Sequence, residues 1–201
     1  MTVGKIASLQ IKLDEVEPTV MRRVEVPLTI RLDHLHLVLQ AAMGWENYHL
    51  YEFRVRDTRW GMPMPELDFG DGPLDAKKTR LVDVLQDFGV KSFKYVYDFG
   101  DDWRHSVRVG RTTDAVPGIA YPRLVEAVGR CPPEDVGGSW GYEEFLKVLA
   151  DPDHEEYAER MEWAGGSFDP ADPEIEERTE AVGRLAKTWA RKPAGSRKRS
   201  G

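Results

Sequence analysis

Apolar and polar residues alternate along residues 91–110, KSFKYVYDFGDDWRHSVRVG. Phe93, Tyr95, Tyr97 and Phe99 fall on one side of the first arm, and Lys94, Val96 and Asp98 on the other. In the second arm Trp103, His105, Val107 and Val109 oppose Arg104, Ser106 and Arg108. A period of two marks a half-buried strand, so the stretch predicts a β-hairpin. A three-residue loop of Gly100, Asp101 and Asp102 sets Phe99 against Trp103, Tyr97 against His105, Tyr95 against Val107 and Phe93 against Val109. Every apolar side chain then shares one face, whereas a two-residue loop would turn one arm's apolar side to water. In this register Asp98 stands opposite Arg104 as an ion pair, and His105 lies on the packed face.

The flanking segments carry further periods. KIASLQIKL (5–13) and VMRRVEVP (20–27) read as strands joined by the turn-rich DEVEPT. Arg22 and Arg23 point to opposite faces, one exposed and one with its stem packed on the sheet. Leu35, Val38, Leu39, Ala42 and Met43 have helical spacing, with Asp33 as a cap and Gly44 as the stop. His36 and Gln40 flank that stripe, in position for a structural hydrogen bond. NYHLYEFRVRD returns to a strand, and His49 on its apolar face reads as a core residue. The stretch from Trp60 to Lys78 is a long connection with a short strand at Glu66–Phe69. Thr79 then caps a helix that turns Leu81, Val82, Leu85 and Phe88 inward. YPRLVEAVGR reads as a strand. Pro132 and Pro133 stiffen the chain after it, and Gly137, Gly138 and Gly141 permit tight turns before a helix with Tyr142, Phe145, Leu146 and Leu149 on one side. Two more helical patterns follow. The prediction is an α+β fold: an antiparallel, aromatic-rich sheet backed by the 32–43 helix, with a C-terminal helical part. Residues 1–190 form a single domain, with the sheet over about 1–130 and the helical part over about 139–190, followed by a disordered basic tail at 191–201.

Charge narrows the range of partners. The net charge of −7 divides unevenly, because residues 191–201 hold five Lys or Arg and no acid. The first 190 residues hold 23 basic and 35 acidic side chains, a charge of −12. Such a body is a poor holder of phosphate backbone, so nucleic acid is expected to bind only weakly, through the tail. No stretch has the length of an apolar membrane span and the N-terminus lacks a signal peptide's apolar centre, so a cytoplasmic protein without a membrane partner is expected. The single Cys131 leaves no internal disulfide and no multi-cysteine zinc site.

Several blocks together carry a resemblance: MRRVEVP, LHLVLQAAMGWENYHLYEF, YVYDFGDDWRHSVRV, CPPEDVGGSWGYEEFL and the late WAGGSFDP, in that order. Over about residues 5–188 the chain resembles the plasmid pRiA4b ORF-3-like family, also called the insertion-element passenger TnpR family. It departs at Met21, where the family often has Trp. The resemblance implies a plasmid or mobile-element passenger and no particular reaction. The TnpR label suggests a resolvase, but the chain has no nucleophilic Ser amid several Arg and no attached DNA-binding module.

The two most distinctive blocks, the hairpin tip and CPPEDVGG, are acidic loops beside aromatics. They are expected to lie side by side and form the mouth of the main pocket. Asp98, Asp101, Asp102 and His105 would then face Cys131, Glu134 and Asp135, with Trp103 and Trp140 completing the candidate ligand-binding residues. The pattern requires no cofactor, but Asp101, Asp102, Glu134 and Asp135 could hold a divalent metal, and His105 would extend the set to transition metals. The opposing reading is plain: Asp101 and Asp102 are good turn residues, and Glu134 and Asp135 can cap a turn. Cys131 would need a base such as His49 or His105 nearby to act as a nucleophile, and a Cys before two prolines is usually a small buried apolar residue. The sequence reads more as a non-catalytic binding or adaptor domain than as an enzyme, with an aromatic-acidic groove for a protein or small-molecule partner. The alternatives are a metal-dependent hydrolase or nuclease using the acidic loops, and a DNA-associated accessory factor using the tail.

Overall fold

The computed structural model describes residues 4–64 and 72–190. The strand expected at 66–69 and the basic tail at 191–201 lie outside the described residues. β1 (Lys5–Leu13) and β2 (Met21–Pro27) form the opening hairpin, α1 (Leu32–Met43) follows, and β3 (Tyr51–Val55) pairs with β4 (Thr58–Gly61). β5 (Leu74–Asp75) runs parallel to β4. α2 (Leu81–Phe88) leads to the central hairpin, β6 (Ser92–Tyr97) and β7 (Trp103–Asp114). β8 (Arg123–Val128), α3 (Gly138–Leu149), α4 (Tyr157–Trp163) and α5 (Ile175–Ala190) complete the chain. The strands make one sheet in the order β5-β4-β3-β6-β7-β1-β2-β8, antiparallel except at β4–β5. This is the expected α+β fold. No helix among the described residues is long and apolar enough to cross a membrane.

The core lies against one face of the sheet. Leu9, Ile11 and Leu13 of β1 and Tyr95 and Tyr97 of β6 meet Leu35, Val38 and Leu39 of α1, and Val182 of α5 joins the same cluster. β4 overlaps the start of the stretch expected to be a connection, because TRWG is too short to display a period. Helix starts also differ from expectation. Arg31 and Arg80 are the extended residues before α1 and α2, and Asp33 pairs with Arg31 from inside the first turn. The backbone N–H of Arg80, not Thr79, is held by the Asp83 carboxylate at 3.0 Å. Gly44, with φ 98°, ends α1 as the sequence indicates.

The central hairpin is paired two residues away from the expected register: Tyr97 faces Trp103, Tyr95 faces His105 and Phe93 faces Val107. A shift of two leaves each side chain on its predicted face. The loop spans five residues, 98–102, because Asp98 and Asp102 both take positive φ, 54° and 55°, and so leave the ladder. The N–H of Asp102 bonds the Asp98 carbonyl at 2.6 Å, and the Asp98 carboxylate takes the Gly100 N–H at 2.9 Å. Phe99 therefore stands outside the ladder, 47% exposed. Arg104 pairs with Asp102 instead of Asp98, and Asp98 is buried.

Arg22 is fully enclosed, and its whole guanidinium, not only its stem, is inside. Nε donates to the Ala42 carbonyl at 2.7 Å, and Nη1 donates to the carbonyls of Met21, Val128 and Gly129 at 2.9 Å each. Ala42 lies in the last turn of α1, where the carbonyls lack intrahelical partners and the helix dipole favours a cation. Arg23, on the other face, pairs with Glu126 at the surface. We expect Arg22→Met to lower the unfolding free energy by about 3 kcal/mol or more, because buried carbonyls lose their donors. Arg23→Met should change it by about 0.5 kcal/mol or less. Urea unfolding of both variants checks the contrast.

His105 sits in the core with Nδ1 directed at the carbonyls of Trp103 (3.1 Å) and Tyr95 (3.2 Å). Burial lowers the pKa of both His105 and the buried His36 to about 4 from an ordinary 6.5. The unfolded chain takes up these protons below about pH 6.5, and the fold resists them until about pH 4. The stability that the neutral rings confer is therefore present above pH 6.5 and lost as pH falls toward 4. Urea midpoints measured across that window should fall, and His105→Phe should remove part of the dependence.

Candidate functional site

The site begins with the segment between α1 and β3. Trp45 packs on Tyr97, with ring centroids 5.0 Å apart, and its indole N–H donates to the Pro132 carbonyl at 3.0 Å. A closed ring of hydrogen bonds fixes the next residues. The Tyr95 hydroxyl lies 2.7 Å from His36 Nδ1 and accepts from Gln40 Nε2 at 3.0 Å. His36 Nε2 bonds the Asn47 side-chain oxygen, and the Asn47 N–H returns to Gln40 Oε1 at 3.1 Å. With Asn47 held at φ 62°, the N–H groups of Tyr48 and His49 both point at the Tyr97 hydroxyl, at 3.1 and 3.4 Å. That hydroxyl donates to Glu134 Oε1 at 3.1 Å, where the Glu46 N–H also arrives at 2.8 Å.

Glu134 belongs to the turn between β8 and α3, and this turn docks on the hairpin tip. The Gly137 N–H donates to the Asp101 carboxylate at 3.1 Å. Gly138, at φ 70°, approaches the Asp101 carbonyl so closely that a Cβ there would lie 2.6 Å from it. Only glycine fits a position that needs both a left-handed backbone and this contact.

Between the tip and the turn sits His49. Its Nε2 is 3.1 Å from Asp135 Oδ1, 3.7 Å from Asp98 Oδ2 and 3.8 Å from Glu134 Oε2. That nitrogen is buried and makes no well-aligned hydrogen bond. Asp98 is buried and Asp135 is mostly exposed, so the cluster runs from the interior to the surface. Burial, with the charge of Asp135 adding to it, raises the Glu134 pKa against the donors from Glu46 and Tyr97. One ring nitrogen facing three carboxylates is a donor set for a divalent cation. His49, Asp98 and Asp135 can bring one ligand atom each within 4.8 Å of one another.

The structure therefore joins Asp98, Glu134 and Asp135 of the expected residues and adds His49. The alternation had placed His49 in the core, but β3 begins only at Tyr51. The expected metal set changes accordingly. Asp101 braces the turn, and Asp102 is paired with Arg104. Trp103 and His105 are core residues, and Trp140 lies 73% exposed on α3. Cys131 is buried, which pushes its thiol up to about 12, so a nucleophilic thiolate is not available near neutral pH. Tip and turn lie side by side. One cavity beside the turn is lined by residues of α3 and α4, and another by residues of α5.

We expect Tyr97→Phe to destabilise the fold by about 1 to 3 kcal/mol, since two N–H groups and Glu134 lose their shared partner. Tyr48→Phe, with the parent ring 72% exposed, should leave the melting temperature unchanged. Thermal unfolding of the pair separates the two outcomes.

The geometry can be set beside known proteins. The chain is 56% identical over 191 residues to the uncharacterized protein y4hQ of Sinorhizobium fredii (strain NBRC 101917 / NGR234), covering 94% of this chain and 97% of that protein. The crystal structure of MM3350, a protein of unknown function from Methanosarcina mazei Go1, is similar with a TM-score of 0.77 at 36% identity. That match covers 86% of this chain and 98% of the other. Residues 5–177 match the family described as plasmid pRiA4b ORF-3-like protein, a span that stops 11 residues short of the expected one and includes the hairpin tip, His49 and the turn. The chain thus belongs to the plasmid pRiA4b ORF-3-like protein family.

Proposed function

We propose that the protein is a binding domain whose ligand is a divalent metal ion, held by His49, Asp98, Glu134 and Asp135. The observation that carries this reading is the buried His49 Nε2, unmatched by an aligned hydrogen bond and faced by three carboxylate oxygens at 3.1 to 3.8 Å. Ligands at about 2.1 Å from a metal stand roughly 3.0 Å apart in octahedral and roughly 3.4 Å apart in tetrahedral geometry. The His49 nitrogen stands 3.1 to 3.8 Å from the carboxylate oxygens, near those values. The ligand atoms of His49, Asp98 and Asp135 lie within 4.8 Å of one another, a spread that side-chain rotation would close around an ion. The ring nitrogen favours manganese, iron or zinc over calcium and magnesium. The ion would tie the hairpin tip, the start of β3 and the turn into one surface, which suits an adaptor. The family's name, taken from a plasmid reading frame, supports a plasmid or mobile-element setting.

One observation favours a second reading, metal-assisted hydrolysis. The Asp135 side chain is 69% exposed, so an ion in the cluster would keep open positions on the solvent side where water could be activated. Turnover of phosphodiester or ester substrates by the metal-loaded protein would favour this reading over the non-catalytic one.

Metal titration of chelator-treated protein is the direct test. Manganese or zinc should raise the melting temperature in a concentration-dependent way, equivalent to about 2.7 kcal/mol at a hundredfold excess over Kd. His49→Ala and Asp98→Asn should each abolish the rise, and Asp102→Asn should retain it. An equal rise in all three variants, or none in the parent, would sink the proposal.

A further inference from the structure

Trp140, which the proposed metal cluster leaves unused, lies in the first turn of α3. We propose that Trp140 and the cavity between α3 and α4 form the docking site for a Lys- or Arg-bearing segment of a protein partner. The cavity encloses about 350 Å³, and its lining includes Trp140, Glu144, Phe145, Val148, Glu156 and Arg160.

Trp140 is isolated from the packing that the other tryptophans share. Trp45, Trp60 and Trp103 are buried, Trp163 packs edge-on against Phe145, and Trp189 stacks on His34. Trp140 is 73% exposed and has no ring or hydrogen-bond partner among the described residues. α3 buries Tyr142, Phe145 and Val148, and Trp140 stands exposed beside the cavity that Phe145 and Val148 also line. The display is rigid. Gly137 and Gly138 take φ of 95° and 70°, Asp101 pins the Gly137 N–H, and a Cβ at Gly141 would lie 2.1 Å from the Val136 carbonyl. A large aromatic on a fixed backbone loses little conformational freedom when a partner covers it, and tryptophan is enriched among the residues that dominate interface energetics.

The surrounding charge selects the partner. From Gly138 to Trp163 the chain has eight acidic residues against Lys147 and Arg160. Glu144 is answered by Lys147 at 2.7 Å within α3, and Glu156, just before α4, by Arg160 at 3.0 Å, both exposed pairs. Such pairs contribute little and can be exchanged for a better-placed cation. An ammonium or guanidinium group over the indole face gains cation–π attraction, its stem rests on Val148 and Phe145, and the carboxylates accept its N–H groups. The surplus of acidic residues draws a basic segment in from a distance. An anionic or purely apolar partner would find no such match.

The test is NMR of the full chain labelled with nitrogen-15, in chelator so that the result is independent of the metal reading. The Trp140 indole signal is identified by its disappearance in Trp140→Phe. The probes are a capped Arg-Lys-Arg tripeptide and a capped Gln-Gln-Gln tripeptide. The basic peptide should shift the Trp140 indole and the Gly141 amide saturably, less as salt rises, and the neutral one should not. Trp140→Ala and the double change Glu144→Gln with Glu156→Gln should each weaken binding about tenfold while the melting temperature stays at the parent value. Equal shifts with the neutral peptide, or shifts centred on His49, would overturn the assignment. Deletion of residues 191–201 that moves the Trp140 indole without any peptide would show the chain's own basic tail as the occupant and overturn it as well.

Discussion

A cation enclosed in the core, Arg22, ties together β2, the end of α1 and the end of β8. A buried guanidinium is tolerable only when its donors are met, and here carbonyls from β2, the end of α1 and the end of β8 meet them. These carbonyls would otherwise be orphans: Ala42 at a helix C-terminus, and Val128 and Gly129 where the chain leaves the sheet edge. One side chain thus satisfies several groups that hydrophobic packing cannot, and it fixes where the chain emerges from β8. Gly129 lies so close to Thr19 that a Cβ would stand 2.3 Å from its carbonyl, so the exit has a single path. That path carries Cys131, Pro132 and Pro133 under Trp45 and delivers Glu134 to Tyr97.

The acidic cluster is assembled by groups that are not themselves acidic. Tyr97 accepts two N–H groups and donates to Glu134, so it orders the segment before β3 and the turn after β8 through one hydroxyl. The ring of bonds through His36, Tyr95, Gln40 and Asn47 lies beneath it and sets the approach of Tyr48 and His49. Two neutral, buried histidines therefore support the region structurally, and the third, His49, points outward at the carboxylates. Burial has opposite consequences for the two kinds of residue. It keeps His36 and His105 unprotonated, and it raises Glu134 toward its neutral form. A divalent ion would reverse that pressure on Glu134 by supplying the positive charge that the cluster lacks.

Much of this architecture is legible in the sequence because local periods report which face each residue occupies. The alternation in β6 and β7 assigns every side chain to its observed face even though the loop is five residues long and not three. The period is blind to a slip of two, and the positive φ of Asp98 and Asp102 that sets the true register leaves no periodic trace. The helix α1, its stop at Gly44 and the structural bond of His36 are readable for the same local reason. Arg22 and His49 are not. Whether an arginine is enclosed depends on carbonyls 20 and 107 residues away in sequence, and whether a histidine before a strand joins it or faces a distant turn depends on tertiary closure. The sequence did offer one usable sign for His49: the WENYH segment lacks the alternation that begins at Tyr51. Asp98, Glu134 and Asp135 stand out in the sequence as acids in loops beside aromatics, but their convergence is a property of the whole chain.

The turn from Glu134 to Gly141 serves both proposed surfaces, since Asp135 faces the metal cluster and Trp140 stands at the other end. Proximity along the chain does not by itself couple two sites. Coupling requires an element with two arrangements whose balance each ligand shifts. This turn is braced by Tyr97 and the Glu46 N–H at Glu134, by Asp101 at Gly137, and by the contact of Val136 with Gly141. Gly138 against the Asp101 carbonyl leaves no room for an alternative path. A metal that drew Asp135 closer to His49 would act on a backbone already held in one conformation, and the indole of Trp140 would not move. The same bracing that prepares each surface for its ligand therefore makes the two independent, and a basic partner should find the Trp140 site equally well on metal-free and metal-bound protein.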